Sequence, residues 1–534
     1  MHEILTIQLG QRANHVATHF WNTQESYFTY DSTQAPSPVD HDVHFRPGIG
    51  ARGEETYTPR TLIYDLKGGF GGLRKWGGLY DQQISGDGAP ESGKGVWDGN
   101  VVLQQDPKIK QSDFQRGLDE GVSDAHKLST KTVRYWSDFN RVFYHPRSIV
   151  QINDYELGST LMPFEKWESG EDLFASMDRD VDLLDRDVRV WAEECDQLQG
   201  IQVFTGGDDA WSAFAAEYVE SLRDEFGKMG IWIWGIEEEQ GKGQKGTQSL
   251  RTVNAARMIN EMSTHASMYI PLSIPPTRLP QYIHLDRNSQ WHTSALLSIA
   301  LESITLPTRL RYDAQRRGFV DLETALNVNG NQRIAQLQCG MLDSEIAPLA
   351  IAPTHGSTDD RAPSRNNSTL VEEDGLELAE PSLDMNLSYC NARSTPSLAG
   401  QHDVSDHVFG AVEITRTKSA ATRDEQTDED EVTYARKRRR FAGLPVIERY
   451  QSSLEYSLLD SFPPIFSLSP GLSQCAVHAS LSTASGISKR VKALQKMVSS
   501  MANLDERETL SNGLGEISEA YEDGWRSGSD EDDD

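Results

Sequence analysis

No apolar run in this chain is long enough to cross a bilayer. The longest aromatic and apolar patch, residues 230–236, has the length and composition of a buried strand. Cysteine is scarce: Cys195, Cys339, Cys390 and Cys475 stand far apart and form no C-x-x-C pair. That pattern indicates neither a disulfide framework nor a structural zinc site, and it fits a reducing compartment. Positive charge is also short, with 51 Lys and Arg against 81 Asp and Glu, a formal net charge of −30. Direct, sequence-independent binding to nucleic acid is therefore not expected. No G-x-S-x-G, H-E-x-x-H or nucleophile–His–acid set stands out, so neither a catalytic residue nor a metal ligand is assigned. The N-terminus lacks the basic amphipathic character of a presequence: Glu3 is acidic and the first arginine is Arg12.

What is present begins with alternation. Residues 1–245 mix strand-like runs with helical ones, which predicts an α/β domain with a parallel sheet and crossover helices. Strands are expected at Ile4–Leu9, Leu62–Tyr64, Ile201–Phe204 and residues 231–236. Helices are expected at 114–143, 180–197 and 211–227. Residues 240–247 read as a flexible loop. A second, smaller α+β region follows at 246–352, with a Pro-rich connector from Pro271 to Pro280 and a helix at Thr293–Thr305. Residues 353–440 are rich in Ser, Thr, Asp, Glu, Pro and Asn, and read as a long disordered insertion ending in the basic run Arg436–Arg440. A C-terminal helical region is expected at 441–525, with a helix near 487–504, and an acidic tail at 526–534.

The first sixteen residues carry the strongest signal. A buried strand (Ile4, Leu5, Ile7, Leu9) runs into a Gly10-Gln11 turn and a helix, an arrangement in which backbone N–H groups can meet phosphate. Glu3, Ile4, Gln8, Gly10, Gln11 and Asn14 resemble the opening of tubulins, while Arg12, Ala13 and Ala17 stand where tubulins have Cys, Gly and Gly. Two further segments, Pro59–Gly68 and Val188–Phe204, are similar to tubulin stretches and lie in the same order. The next residues depart from the family. Tubulins have a G-G-G-T-G-S-G phosphate loop; here the stretch is Thr205-Gly206-Gly207-Asp208-Asp209-Ala210-Trp211-Ser212. Two carboxylates and an indole there oppose a triphosphate. Lys67 stands where tubulins carry a magnesium-linked Glu, and Leu326–Asn331 lacks the acidic residue of the loop that promotes hydrolysis in a neighbour.

A tubulin-like start, degenerate loops, a long polar insertion and an acidic end together resemble the misato family of tubulin-related proteins, as do Gly68–Gly72 and Tyr269–Pro276. The resemblance implies a non-enzymatic protein in the partitioning of mitochondria and the inheritance of mitochondrial DNA. It also implies protein partners at the mitochondrial surface or cytoskeleton, and a peripheral position on the cytosolic face with a cytoplasmic pool. Gly10, Gln11, Asn14, Gly206 and Gly207 form a vestigial nucleotide site in this reading; no cofactor is expected, with residual GTP left open. For Gln11 and Asn14 the alternative is a structural role at the turn. Two other readings stay open: a divergent, filament-forming GTPase, and a cytosolic or nuclear scaffold with indirect mitochondrial effects. Weaker motifs are read as structural. Residues 88–95 nearly match a P-loop but have Gly95 in place of the Ser/Thr hydroxyl, and Asp40–His44 carries metal-capable side chains without a fixed frame. Arg436–Arg440 reads either as solvated charge or as a contact for import factors or anionic lipid.

Overall fold

The computed structural model describes residues 2–29, 35–50, 53, 55–74, 109–121, 127–238, 245–276, 279–311, 316–342, 383–388, 406–418, 438–439, 444–466, 473–499, 501 and 504–522. β1 (Glu3–Leu9) runs directly into α1 (Gln11–Glu25). A hairpin of β2 (Phe45–Ile49) and β3 (Glu55–Pro59) precedes β4 (Thr61–Lys67). Next come α2 (Asp113–Glu120), β5 (Ile149–Glu156), α3 (Trp167–Val181) and the short α4 (Arg189–Glu193). They are followed by β6 (Leu198–Gly206), α5 (Ala210–Glu225), β7 (Gly230–Glu238), α6 (Lys245–His265) and β8 (Met268–Ile274). α7 (Gln290–Ile304) and α8 (Phe319–Leu326) lead to the strands β9 (Gln336–Met341), β10 (Met385–Asn386), β11 (Val408–Arg416) and β12 (Val446–Ser452). The pair β13 (Tyr456–Ser457) and β14 (Gln474–Cys475) precedes β15 (Val477–Ala484), α9 (Gly486–Val498) and α10 (Leu504–Glu519).

Six strands form a wholly parallel sheet in the order β5-β4-β1-β6-β7-β8. Its central strands are buried on both faces, which is why β1 and β7 read as nearly continuous apolar runs. Ile4, Trp232, Trp234 and Ile236 belong to the core shared with α1 and α7, while Leu5, Ile7, Ile231 and Ile233 belong to the core shared with α3, α5 and α6. The polar residues inside the sheet are paired across strands. Gln8 Nε2 donates to Thr61 Oγ1 at 2.8 Å, and Gln202 Nε2 donates to Thr6 Oγ1 at 2.8 Å. Such pairing satisfies the amide N–H side and offsets part of the cost of burial, while Gln8 Oε1 and Gln202 Oε1 are left without a partner. β1 has β4 on one side and β6 on the other, so the sheet order reverses at β1, and the carboxyl ends of these three strands are where a ligand would bind in an open α/β sheet.

α7 is buried around nearly its whole circumference because it lies between α1 and the second sheet, whose order is β10-β9-β15-β11-β12. The tubulin-like α/β architecture read from the sequence is therefore present.

Several local expectations are corrected. Residues 114–143 are not one helix: α2 ends at Glu120, and Trp136–Phe139 is a 3-10 turn whose aromatic rings pack into the core. Pro271 is not in a connector but inside β8, where its missing N–H is tolerated because β8 is an edge strand of the six-stranded sheet. Within the insertion expected at 353–440, β10 and β11 are ordered, and β11 lies between β12 and β15. The region expected to be helical from 441 begins with strands; only α9 and α10 are helices there. The acidic tail at 526–534 lies outside the described residues.

Candidate functional site

The three strand ends at the reversal of the sheet bring together Gly10, Lys67, Gly69, Gly206 and Gly207. Gly10 has φ +83°, a conformation that L side chains rarely adopt, and it lets β1 turn at once into α1. Nothing caps α1 through a side chain. The residues expected to face a nucleotide or to cap this turn are instead directed at Asp65. Gln11 Nε2 donates to Asp65 Oδ2 at 2.6 Å and to the Gly69 carbonyl at 2.7 Å, and Asn14 Nδ2 donates to the same Asp65 oxygen at 2.7 Å. Trp136 Nε1 adds a third donor to that oxygen at 3.1 Å, and the Leu66 N–H donates to Oδ1 at 2.9 Å. Asp65 is fully buried, and burial pushes its carboxyl up to about 6 against the pull of these donors.

The loop after β6 is occupied by its own side chains. Asp209 caps α5, its Oδ1 accepting the Trp211 N–H at 3.0 Å. Its carboxylate lies against Gly206 so closely that a Cβ there would meet it at 2.2 Å. The Trp211 indole covers Gly10 in the same way, 2.3 Å from where a Cβ would stand, and the Glu237 side chain lies 2.9 Å from the corresponding point on Gly207. Arg12 ties the two carboxylates together. Its guanidinium pairs with Asp208 Oδ1 at 2.5 Å and with Asp209, and donates to the Ile236 carbonyl at 3.1 Å. Asp208 also accepts the Glu238 N–H at 3.0 Å. Burial pushes the Asp209 carboxyl up and Asp208 adds to that, while Arg12 opposes it. Burial disfavours the charged Arg12, yet Asp208 and Asp209 overcome this and hold it firmly protonated. Glu237, also buried, is raised by desolvation and paired with Arg490 at 2.5 Å.

Of the five positions read from the sequence, Gly10, Gly206 and Gly207 stand at the neighbouring ends of β1 and β6, while Gln11 and Asn14 turn to Asp65. Sequence reasoning missed Arg12 and Asp65 as the organisers here. The signal for Arg12 was present: an arginine in place of Cys at position 12 and two aspartates in place of loop residues are complementary changes. The signal for Asp65 was its place inside the tubulin-like segment Pro59–Gly68, at the end of a strand. The near P-loop at 88–95 lies outside the described residues. Asp40–His44 forms a 3-10 turn in which Asp40 pairs with Arg316 at 3.1 Å and His41 stacks on Phe28.

Residues 2–120 match the family model described as the misato segment II tubulin-like domain, and residues 125–310 match a tubulin domain. Curated fungal proteins are similar to the chain from end to end. Protein dml1 of Aspergillus niger is 48% identical, covering 100% of both chains. Protein dml-1 of Neurospora crassa is 44% identical, again over 100% of each. Protein DML1 of Yarrowia lipolytica is 28% identical over 100% of each.

Proposed function

The chain belongs to the misato and DML1 family of tubulin-like proteins, and from that premise we propose that it works by holding protein partners, not by turning over GTP, in the partitioning of mitochondria and the inheritance of mitochondrial DNA. One observation carries the non-enzymatic half. The glycine faces that a phosphate chain would need are covered by Trp211, Asp209 and Glu237. A phosphate there would have to displace an indole and a cap, and then face Asp208 and Asp209. Arg12, the cation that meets Asp208 and Asp209, is already shared between those two carboxylates. These residues do not fit a nucleoside triphosphate.

The mitochondrial half is supported by the family resemblance, not by the site. Among the described residues no helix is long and apolar enough to cross a membrane. Attachment to the cytosolic face is then peripheral in this proposal, through a protein partner or through Arg436–Arg440 on anionic lipid. Of that run Arg438 and Arg439 are described, and both are exposed.

Mass spectrometry of small molecules released from the purified native chain tests the first half. The expected result is no stoichiometric guanine nucleotide; GTP or GDP retained at one per chain would overturn it. Protease treatment of intact mitochondria carrying the tagged protein tests the location. The tag is expected to be lost while the outer membrane is whole, and its survival until that membrane is broken would contradict the peripheral model.

A further inference from the structure

At the other end of the sheet, the starts of β1, β4 and β6 border a polar cleft of about 390 Å³. The seven residues of β1 place it about 20 Å from Gly10, so it is separate from the loop described above and independent of the nucleotide question. Its walls include Glu3, Asp42, Arg46, Arg60, Glu194 and Asp196. Some of these charges are held internally. Glu3 is 1% exposed and accepts the N–H groups of Asp196 at 3.2 Å and Gln197 at 3.0 Å. Arg46 Nε donates to Glu194 at 2.8 Å, and the Arg46 guanidinium lies over the Trp191 ring.

Arg60 differs. It sits between β3 and β4 with its backbone fixed on both sides, its N–H donating to the His44 carbonyl at 2.8 Å and its carbonyl accepting the Thr6 N–H at 3.0 Å. The residue is 5% exposed, its buried Nε has no acceptor, and its guanidinium forms no ion pair among the described residues. A guanidinium without a hydrogen-bond partner at that depth is costly, and its planar fork matches the paired oxygens of a carboxylate, as it does those of a phosphate. A simple anion is disfavoured, because the cleft holds four carboxylates against two arginines. Asp42 and Asp196 form no ion pair among the described residues, and burial together with Asp40 pushes the Asp42 carboxyl up although Arg60 and Arg311 pull it down. The cleft therefore offers a forked donor beside carboxylates that form no ion pair among the described residues. It matches a ligand that brings an anion and a cation together. Its volume lies in the range of ligand sites, about 300–1,000 Å³.

We propose that this cleft binds a basic amino-acid carboxylate, with Arg60 taking the α-carboxylate and Asp42 and Asp196 taking the cationic side chain. Free arginine or lysine carries that chemistry, and so does a peptide chain that ends in one of them.

Isothermal titration of the full chain tests the assignment. N-acetyl-arginine is the probe for a peptide end and free arginine the probe for a small metabolite; the tighter of the two names the source. N-acetyl-arginine amide lacks the carboxylate and N-acetyl-citrulline lacks the cation. Each is expected to bind at least about tenfold more weakly than N-acetyl-arginine. Arg60→Gln should weaken N-acetyl-arginine about tenfold with an unchanged circular dichroism spectrum, and Arg60→Lys, which keeps charge but loses the fork, should fall between. Should Arg60→Gln fail to fold, the double variant Asp42→Asn, Asp196→Asn gives the same readout from more exposed side chains. Equal affinity for acid and amide, undiminished binding by a folded Arg60→Gln, or no heat with either probe up to about 10 mM would overturn the proposal.

Discussion

Four N–H donors converge on Asp65, and burial nonetheless keeps its carboxyl near 6. Because the folded value lies above the unfolded one of 3.8, the fold binds this proton more tightly than the unfolded chain does. Stability from this group is present below pH 4 and is lost as pH rises through about 6, at most about 3 kcal/mol in all. His15, lowered to about 4 by burial, acts with the opposite sign, losing stability as pH falls through the same window. The difference between wild type and Asp65→Asn isolates the carboxyl. Chemical denaturation should show the variant gaining on wild type from pH 4 to pH 7, and a flat difference would show that Asp65 titrates normally. Arg12 gives a second test. Arg12→Ala leaves Asp208 and Asp209 facing each other with little solvent, a loss of roughly 3 kcal/mol, read as a shift in the denaturation midpoint. It should not create GTP binding, because the loop becomes more negative. Tight GTP binding by that variant would mean that Arg12 alone blocks the site.

β11 shows how one strand ties distant parts of the chain. Its last residue, Arg416, is fully buried and pairs with Glu302 of α7, which also holds Arg309 at 2.6 Å. Arg416 further donates to Tyr27 Oη at 2.8 Å and to the Leu454 carbonyl at 2.7 Å. Replacing it with Met leaves Glu302 with one cation where it had two and strands several acceptors, for a loss of about 3 kcal/mol or more. Deleting residues 353–440 is more severe. It removes β11 from between β12 and β15, and the truncated chain should be recovered aggregated or highly protease-sensitive. A soluble, protease-resistant product with native circular dichroism would show that β11 is dispensable.

For the whole molecule, a net charge of −30 makes a basic partner surface the favoured one and makes its association depend on salt. Screening shortens from about 10 Å at 0.1 M to about 3 Å at 1 M. The proposed peripheral attachment to mitochondria should therefore weaken as salt rises, measured as the fraction released into the supernatant. Release only by detergent would contradict an electrostatic, peripheral contact.

The strand β1, the helix α7 and the parallel character of the first sheet were legible in the sequence, because burial on two faces demands apolar runs that local composition reveals. The altered phosphate loop was legible too, as Asp208, Asp209 and Trp211 at positions where tubulins have small residues. That Arg12 answers both aspartates, and that Gln11 and Asn14 serve Asp65, was decided by the tertiary structure, since the partners lie up to 197 residues apart. β11 escaped for the same reason. Its nine residues sit in a polar stretch whose average composition hides them, and the pairing that stabilises them comes from β12 and β15, later in the chain. Local composition records what a segment can bury; only the folded chain supplies the partner against which it is buried.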